Sequence, residues 1–293
     1  MFRGAITALV TPFRDGRVDE PALRDLIEFQ IENGIDGLVP CGTTGESPTL
    51  SHDEHDRVIE ITIEAAGKRV PVIAGTGSNS TAEALRLTRH AYEAGADGAL
   101  IACPYYNKPT QEGLYQHFST IAKNVPIPIL PYNIPGRTGI NMSPELIARL
   151  AGIDNIVGVK EASGSIKQMN DVIDLCPPDF AVLSGDDGFT LPLMAIGGRG
   201  VISVASNIVP ADMAALVDSA ADDNLTRARM LHKKMSALFD VLFIEVNPTP
   251  VKAALALMGK IQYEYRLPLC PMAEANHRKL RKVMIEYGLI GPN

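Results

Sequence analysis

The sequence predicts an α/β fold, a (β/α)8 TIM barrel followed by a helical C-terminal domain. Eight short apolar runs rich in β-branched residues occur in about the first 205 residues, each followed by a longer stretch with helical spacing. That alternation specifies parallel strands joined by crossover helices. Eight such units close into a barrel, whereas an open doubly wound sheet usually has fewer strands and carries a nucleotide fingerprint at its first turn. The nearest glycine-rich loop, Gly75-Thr76-Gly77-Ser78-Asn79-Ser80, lacks the third glycine and follows the third strand instead. After about Pro210 the strand signal stops and only helical patterns remain.

The expected strands, in order, are Ala5 to Val10, Gly37 to Pro40, Val70 to Ala74, Gly98 to Ala102, Ile127 to Tyr132, Ile156 to Lys160, Phe180 to Ser184 and Gly200 to Val204. The intervening helices announce their starts. Ser51 with Glu54 and Ser80 with Glu83 match capping boxes, and Ser143 precedes Pro144 as an N-cap before an N1 proline. Gly34 and Gly95 follow helical stretches at positions suited to left-handed C-caps. Further helices are expected around Ala211 to Ala220, Asn224 to Ile244, Pro250 to Met258 and Met272 to Tyr287, with a break at Asn247-Pro248-Thr249-Pro250. The barrel is thus expected over residues 1–221 and the C-terminal helical domain over 222–293.

The 293-residue chain is 46% hydrophobic and 21% charged, enough apolar material for a large core. A net charge of -7 offers no basic face to neutralise a run of phosphates, so no nucleic-acid partner is expected. Cys41, Cys103, Cys176 and Cys270 are far apart and include no Cys-x-x-Cys pair, which disfavours a disulfide framework and a zinc knuckle and fits a reducing, cytoplasmic setting. The run Ala5 to Val10 is too short for a membrane span and is followed by no small-residue cleavage site, so no membrane association is expected.

In a barrel of this kind the active site forms at the C-terminal ends of the strands. Lys160 ends the sixth run, and alternation puts it on the same face as Gly158. A lysine held in apolar surroundings loses proton affinity, and its free amine attacks carbonyls. The same position also suits a lysine that snorkels to solvent or pairs with Glu161. Tyr132 closes the preceding strand, where its hydroxyl can relay protons, as imine formation requires; a core tyrosine would look the same. Gly42-Thr43-Thr44-Gly45-Glu46 follows the second strand, and its glycines would let successive N–H groups converge on an anion, or simply make a tight turn. Arg137, in Pro135-Gly136-Arg137-Thr138-Gly139, is placed to grip a carboxylate or to sit exposed in a loop. His52 and His55 share a helix face, but no third ligand or His-Glu-x-x-His pattern accompanies them, so no metal is expected.

Four segments together resemble the dihydrodipicolinate synthase and N-acetylneuraminate lyase superfamily, whose members are pyruvate-dependent class I aldolases and synthases. They are Gly42-Thr43-Thr44-Gly45-Glu46, Pro104-Tyr105-Tyr106, Tyr132-Asn133-Ile134-Pro135-Gly136-Arg137-Thr138-Gly139 and Gly158-Val159-Lys160-Glu161-Ala162-Ser163-Gly164. Their order and spacing match the family's, and the resemblance spans essentially the whole chain. It implies that Lys160 forms the Schiff base, with Tyr132, Thr43 and Tyr106 as a hydroxyl relay in which Tyr106 enters from a neighbouring subunit. It further implies that Thr44 binds the pyruvate carboxylate and that Ile202 and Gly185 line the same pocket.

Arg137 matches the residue that binds L-aspartate 4-semialdehyde in the synthase branch, whereas neuraminate lyases lack it and usually have Ser-Thr in place of Thr43-Thr44. The implied reaction is condensation of pyruvate with that aldehyde, without cofactor, to 4-hydroxy-tetrahydrodipicolinate on the diaminopimelate route to lysine. The resemblance also implies a homotetramer built as a dimer of dimers. Ser47, Pro48, His52, His55, Asn79, Glu83 and Tyr105 match positions that bind inhibitory L-lysine in feedback-sensitive members, although Pro48 departs from the small residue often found there. The competing readings are another pyruvate-dependent aldolase of the superfamily and a non-catalytic metabolite-binding barrel.

Overall fold

The computed structural model describes residues 2–292. All eight expected strands form: β1 Gly4–Ala8, β2 Gly37–Val39, β3 Ile73–Gly75, β4 Gly98–Ala102, β5 Ile129–Asn133, β6 Gly158–Glu161, β7 Ala181–Ser184 and β8 Gly200–Ser203. They make one parallel sheet in the order β2-β1-β8-β7-β6-β5-β4-β3, and a parallel bridge between Leu38 and Val72 brings its two ends together as a barrel. The third strand starts later than expected. Pro71 has no N–H to give, and it joins the ladder only as an acceptor, its carbonyl taking the N–H of Leu38 at 3.0 Å.

Alternation along the strands divides the apolar residues between two environments. Ile6, Ala8, Val39, Ile73, Leu100, Leu130, Leu183 and Ile202 fill the barrel interior. The intervening residues, Ala5, Val159 and Val201 among them, face the helices. Eight helices follow the eight strands: Glu20–Glu32, His52–Ala66, Thr81–Glu93, Gln111–Asn124, Pro144–Ala151, Ile166–Leu175, Thr190–Ala195 and Pro210–Ala221. A two-residue hairpin, Phe13–Arg14 with Arg17–Val18, was not expected; strands this short leave no alternation to read.

Ser51 and Glu54 form the expected capping box, and the Ser143 hydroxyl accepts the N–H of Leu146 at 3.2 Å. The second box is absent. Ser80 occupies the N-cap position, yet its side chain makes no cap bond; its N–H donates to the Ser78 hydroxyl at 3.0 Å, and the Glu83 carboxylate takes that hydroxyl and the imidazole of His52, 2.9 Å away. Gly34 and Gly95 have the expected positive φ, 80° and 91°.

Helices Leu225–Val241, Thr249–Leu257 and Glu274–Tyr287 complete the described chain, and their buried residues belong to the same core cluster as the first strands of the barrel. Val251, Ala253, Ala254 and Leu255 are wholly buried. At about 2 kcal/mol for a fully buried Leu or Val, this middle helix is held to the barrel firmly. No described helix is long and apolar enough to cross a membrane.

Candidate active site

Register places Lys160 beside Tyr132 of β5 on one side and Leu183 of β7 on the other. Its side chain lies in the barrel interior at 6% exposure, with Nζ 4.1 Å from the centroid of the Tyr132 ring. Burial is the main cause that lowers its pKa to about 7; the Arg137 charge acts in the same direction and the Asp187 carboxylate opposes it. The alternatives left open by position are thereby decided: Lys160 does not reach solvent, and Glu161 does not pair with it. Glu161, one residue on, points to the opposite face, where it accepts from Asn133 Nδ2 at 2.9 Å and from the N–H of Ser163 at 2.7 Å.

Space for the lysine comes from Gly185. A Cβ there would lie 2.7 Å from Ala162 Cβ and 3.1 Å from Lys160 Cε, so a side chain would clash with Ala162 and crowd the lysine. Tyr132 is 5% exposed, and burial pushes its phenol pKa up, which keeps the hydroxyl protonated and able to donate. Ile202 is buried in the same interior cluster. Asp187 lies just past β7; Oδ2 accepts the N–H groups of Val204 at 3.1 Å and Ala205 at 2.8 Å, and burial raises its pKa to about 6.

The loop after β2 differs from expectation in one respect. Its left-handed residues are Cys41, φ 55°, and Glu46, φ 53°, not the two glycines. Gly45 is needed for space, since a Cβ would meet Cys41 N at 3.1 Å and Leu9 O at 3.2 Å. The N–H groups of Gly45, Glu46 and Ser47 are spent inside the loop, on the carbonyls of Gly42 and Thr43. Those of Thr43 and Thr44 donate to nothing among the described residues, which leaves two adjacent donors for an anion. Thr44 Oγ1 accepts from Asn247 Nδ2 at 3.0 Å.

Arg137 stands exposed on the short helix Pro135–Thr138, and its Nη2 donates to the backbone oxygen of Asn247 at 3.0 Å. Asn247 therefore joins Arg137 to Thr44, residues 110 and 203 positions before it, a link that periodicity cannot reveal. Thr43, Tyr132 and Arg137 line a cavity of about 460 Å3 that also takes in Ser47, Pro48, His52, His55, Glu83 and Tyr105. Asn79 stands beside it, donating to the Tyr105 oxygen at 3.2 Å.

Tyr106 is 89% exposed, with φ 71°, and does not turn into its own chain's cavity. His52 and His55 diverge: His52 faces Glu83, whereas His55 is buried with Nε2 donating to Gly75 O at 2.9 Å. Among the described residues no three or more His, Cys, Asp or Glu side chains are grouped so as to hold a metal ion.

The chain matches the Dihydrodipicolinate synthetase family over residues 1–286. It is 71% identical to a 4-hydroxy-tetrahydrodipicolinate synthase of Syntrophus aciditrophicus (strain SB), over 99% of this chain and 100% of the relative. The crystal structure of the chloride inhibited dihydrodipicolinate synthase from Acinetobacter baumannii, complexed with pyruvate, superposes with a TM-score of 0.97 at 47% identity, covering 99% of this chain and 100% of the other. A dihydrodipicolinate synthase from Cyanidioschyzon merolae with lysine bound gives 0.96 at 43% identity, covering 99% of each. The chain belongs to the dihydrodipicolinate synthetase family, and it is an enzyme of the lyase class.

Proposed function

We propose that the protein condenses pyruvate with L-aspartate 4-semialdehyde to 4-hydroxy-tetrahydrodipicolinate, on the diaminopimelate route to lysine, through a Schiff base on Lys160. The observation that carries this reading is a buried amine with its pKa near 7, 4.1 Å from the ring of Tyr132, which lines a cavity together with Thr43 and Arg137. At neutral pH about half of such an amine is unprotonated and nucleophilic. The pyruvate complex of the 47% identical Acinetobacter baumannii protein supports the choice of first substrate.

Lys160 Nζ adds to the pyruvate ketone, and loss of water gives a protonated imine. Loss of a methyl proton turns this into an enamine, whose carbon attacks the aldehyde of the second substrate while the aldehyde oxygen gains a proton. The second substrate's amine then adds to the imine carbon and displaces Lys160 as the ring closes. Tyr132, Thr43 and Tyr106 carry the protons, and the imine itself is the electron sink. Thr44, with its unspent N–H, holds the pyruvate carboxylate in a space bounded by Gly185 and Ile202, and Arg137 grips the carboxylate of the aldehyde.

Tyr106 joins the relay from a partner subunit of a homotetramer, a dimer of dimers. Its exposure and its left-handed backbone, a conformation worth about 1–3 kcal/mol of strain in a bulky residue, support a loop shaped for a neighbour. L-Lysine inhibits by binding at Ser47, Pro48, His52, His55, Asn79, Glu83 and Tyr105. Glu83, ionised and lowered in pKa first by Ser78 and then by His52, supplies the counter-charge for the effector's amine.

Borohydride reduction with pyruvate, with intact-mass measurement of the product, tests the reading. The native protein gains one pyruvate-derived adduct and Lys160→Ala gains none. No adduct on the native protein sinks the mechanism, and an adduct without turnover of aspartate semialdehyde moves the assignment to another aldolase of the superfamily. Unchanged turnover in millimolar lysine removes the regulatory part.

A further inference from the structure

A second buried lysine lies outside the catalytic set. Lys252, on helix Thr249–Leu257, and Glu46, at the end of the loop carrying Thr43 and Thr44, both have fully buried side chains and are ion-paired through Nζ and Oε1. Glu46 Oε2 also accepts the N–H of Arg266 at 3.3 Å. Lys252 Nζ lies 4.2 Å from the centroid of the Phe13 ring. The same loop is tied down by Thr11, whose hydroxyl donates to Gly45 O at 2.7 Å, and by Asn247 on Thr44.

For stability alone such a pair is a poor device, since burying two charges costs several kcal/mol and a well-packed apolar pair of similar volume is often as good or better. What a charge-assisted bond supplies is direction. Glu46 is a non-glycine residue at φ 53°, a conformation that persists only where the surroundings over-determine it. Its carboxylate is fixed from the C-terminal helices, and its backbone ends the turn that leaves the N–H groups of Thr43 and Thr44 unspent.

We propose that Lys252 and Glu46 are positioning residues: their ion pair holds the Thr43-Thr44 segment in register for the carboxylate of the keto-acid substrate, so that the C-terminal helices complete the active-site loop. This rests on the Schiff-base reading for the identity of that carboxylate.

The test is the double variant Glu46→Gln/Lys252→Met, which removes both charges while roughly keeping shape. It is to be compared with the native enzyme in melting temperature, in kcat, in KM for each substrate, and in borohydride trapping of pyruvate. The expected result is a melting temperature within a few degrees of native, a pyruvate KM raised about tenfold or more, and kcat and the aldehyde KM changed by less than about threefold. Trapping is restored at saturating pyruvate. A folded double variant with the native pyruvate KM overturns the proposal, as does an equal rise in both KM values. Should the double variant not fold, Glu46→Asp keeps the charge but shortens the arm by one methylene, and a native pyruvate KM there overturns it equally. Unfolding of both makes the pair a folding element and likewise overturns the positioning role. Failure of the native enzyme to trap pyruvate is a separate outcome, which removes the Schiff-base reading and this inference with it.

Discussion

Lys160 and Lys252 are both buried lysines beside an aromatic ring, and they serve opposite ends. At the barrel mouth, Lys160 has the Tyr132 ring 4.1 Å away and no carboxylate within ion-pair distance, so desolvation leaves its amine close to half unprotonated at neutral pH. At the junction with the C-terminal helices, Lys252 has the Phe13 ring 4.2 Å away but Glu46 in direct contact; burial still lowers its pKa, and the carboxylate opposes that effect. The same side chain becomes a nucleophile where its charge is left unbalanced and a fastening where the charge is met. The difference lies in whether a carboxylate is in direct contact, as Glu46 is with Lys252, or acts only at a distance, as Asp187 does on Lys160.

The sharpest break of that comparison is methionine at each position. Lys160→Met should cut turnover by at least about a thousandfold while leaving the denaturation midpoint unchanged or higher, because no partner is stranded. Lys252→Met should lose about 3–5 kcal/mol in urea unfolding, because the buried Glu46 carboxyl loses its partner. Equal stability losses in the two variants would show that Lys160 too has a counter-charge.

A smaller effect is expected at Arg137, which is linked to both regions through Asn247. Arg137→Ala should raise KM for the aldehyde about 10- to 100-fold, the loss of charge-assisted bonds worth about 1.5–3 kcal/mol, with pyruvate trapping intact. A matching loss in trapping would mean that the guanidinium serves the first substrate.

The gentlest probe is pH. Lys160 binds its proton less tightly in the folded state, about 7 against 10.5, so the rate of pyruvate adduct formation should rise about tenfold per pH unit below 7 and level off above it. The unfolded chain holds more protons than the folded one between those values, so stability contributed by this group increases as pH rises through that window. Lys160→Met should abolish both trends, and a rate profile with no inflection near 7 would contradict the unbalanced charge.

Much of the fold and of the site is legible in the sequence. The eight strands stand out because parallel strands buried on both faces are short apolar runs, and the polar residues at the C-terminal end of each run include Lys160, Tyr132 and the loop after β2. Lys252 carries a signal of its own: it is the lone charge in Pro250-Val251-Lys252-Ala253-Ala254-Leu255-Ala256-Leu257, and a cation in so apolar a helix asks for a buried partner. The partner's identity is not legible, since Glu46 lies 206 positions away. Ser80 and Glu83 mislead because a capping box is a local pattern, and the Glu83 carboxylate is taken instead by the Ser78 hydroxyl and by His52 from another helix.

The sequence by itself determined the order of strands and helices, the face to which each side chain points and the chemical kinds gathered at the strand ends, because period and spacing are properties of a local chain. Tertiary structure alone decided which of the two lysines is left without a counter-ion. Charge is balanced through space, and the groups that balance it here, or decline to, come from segments that meet only when the barrel closes and the C-terminal helices pack against it.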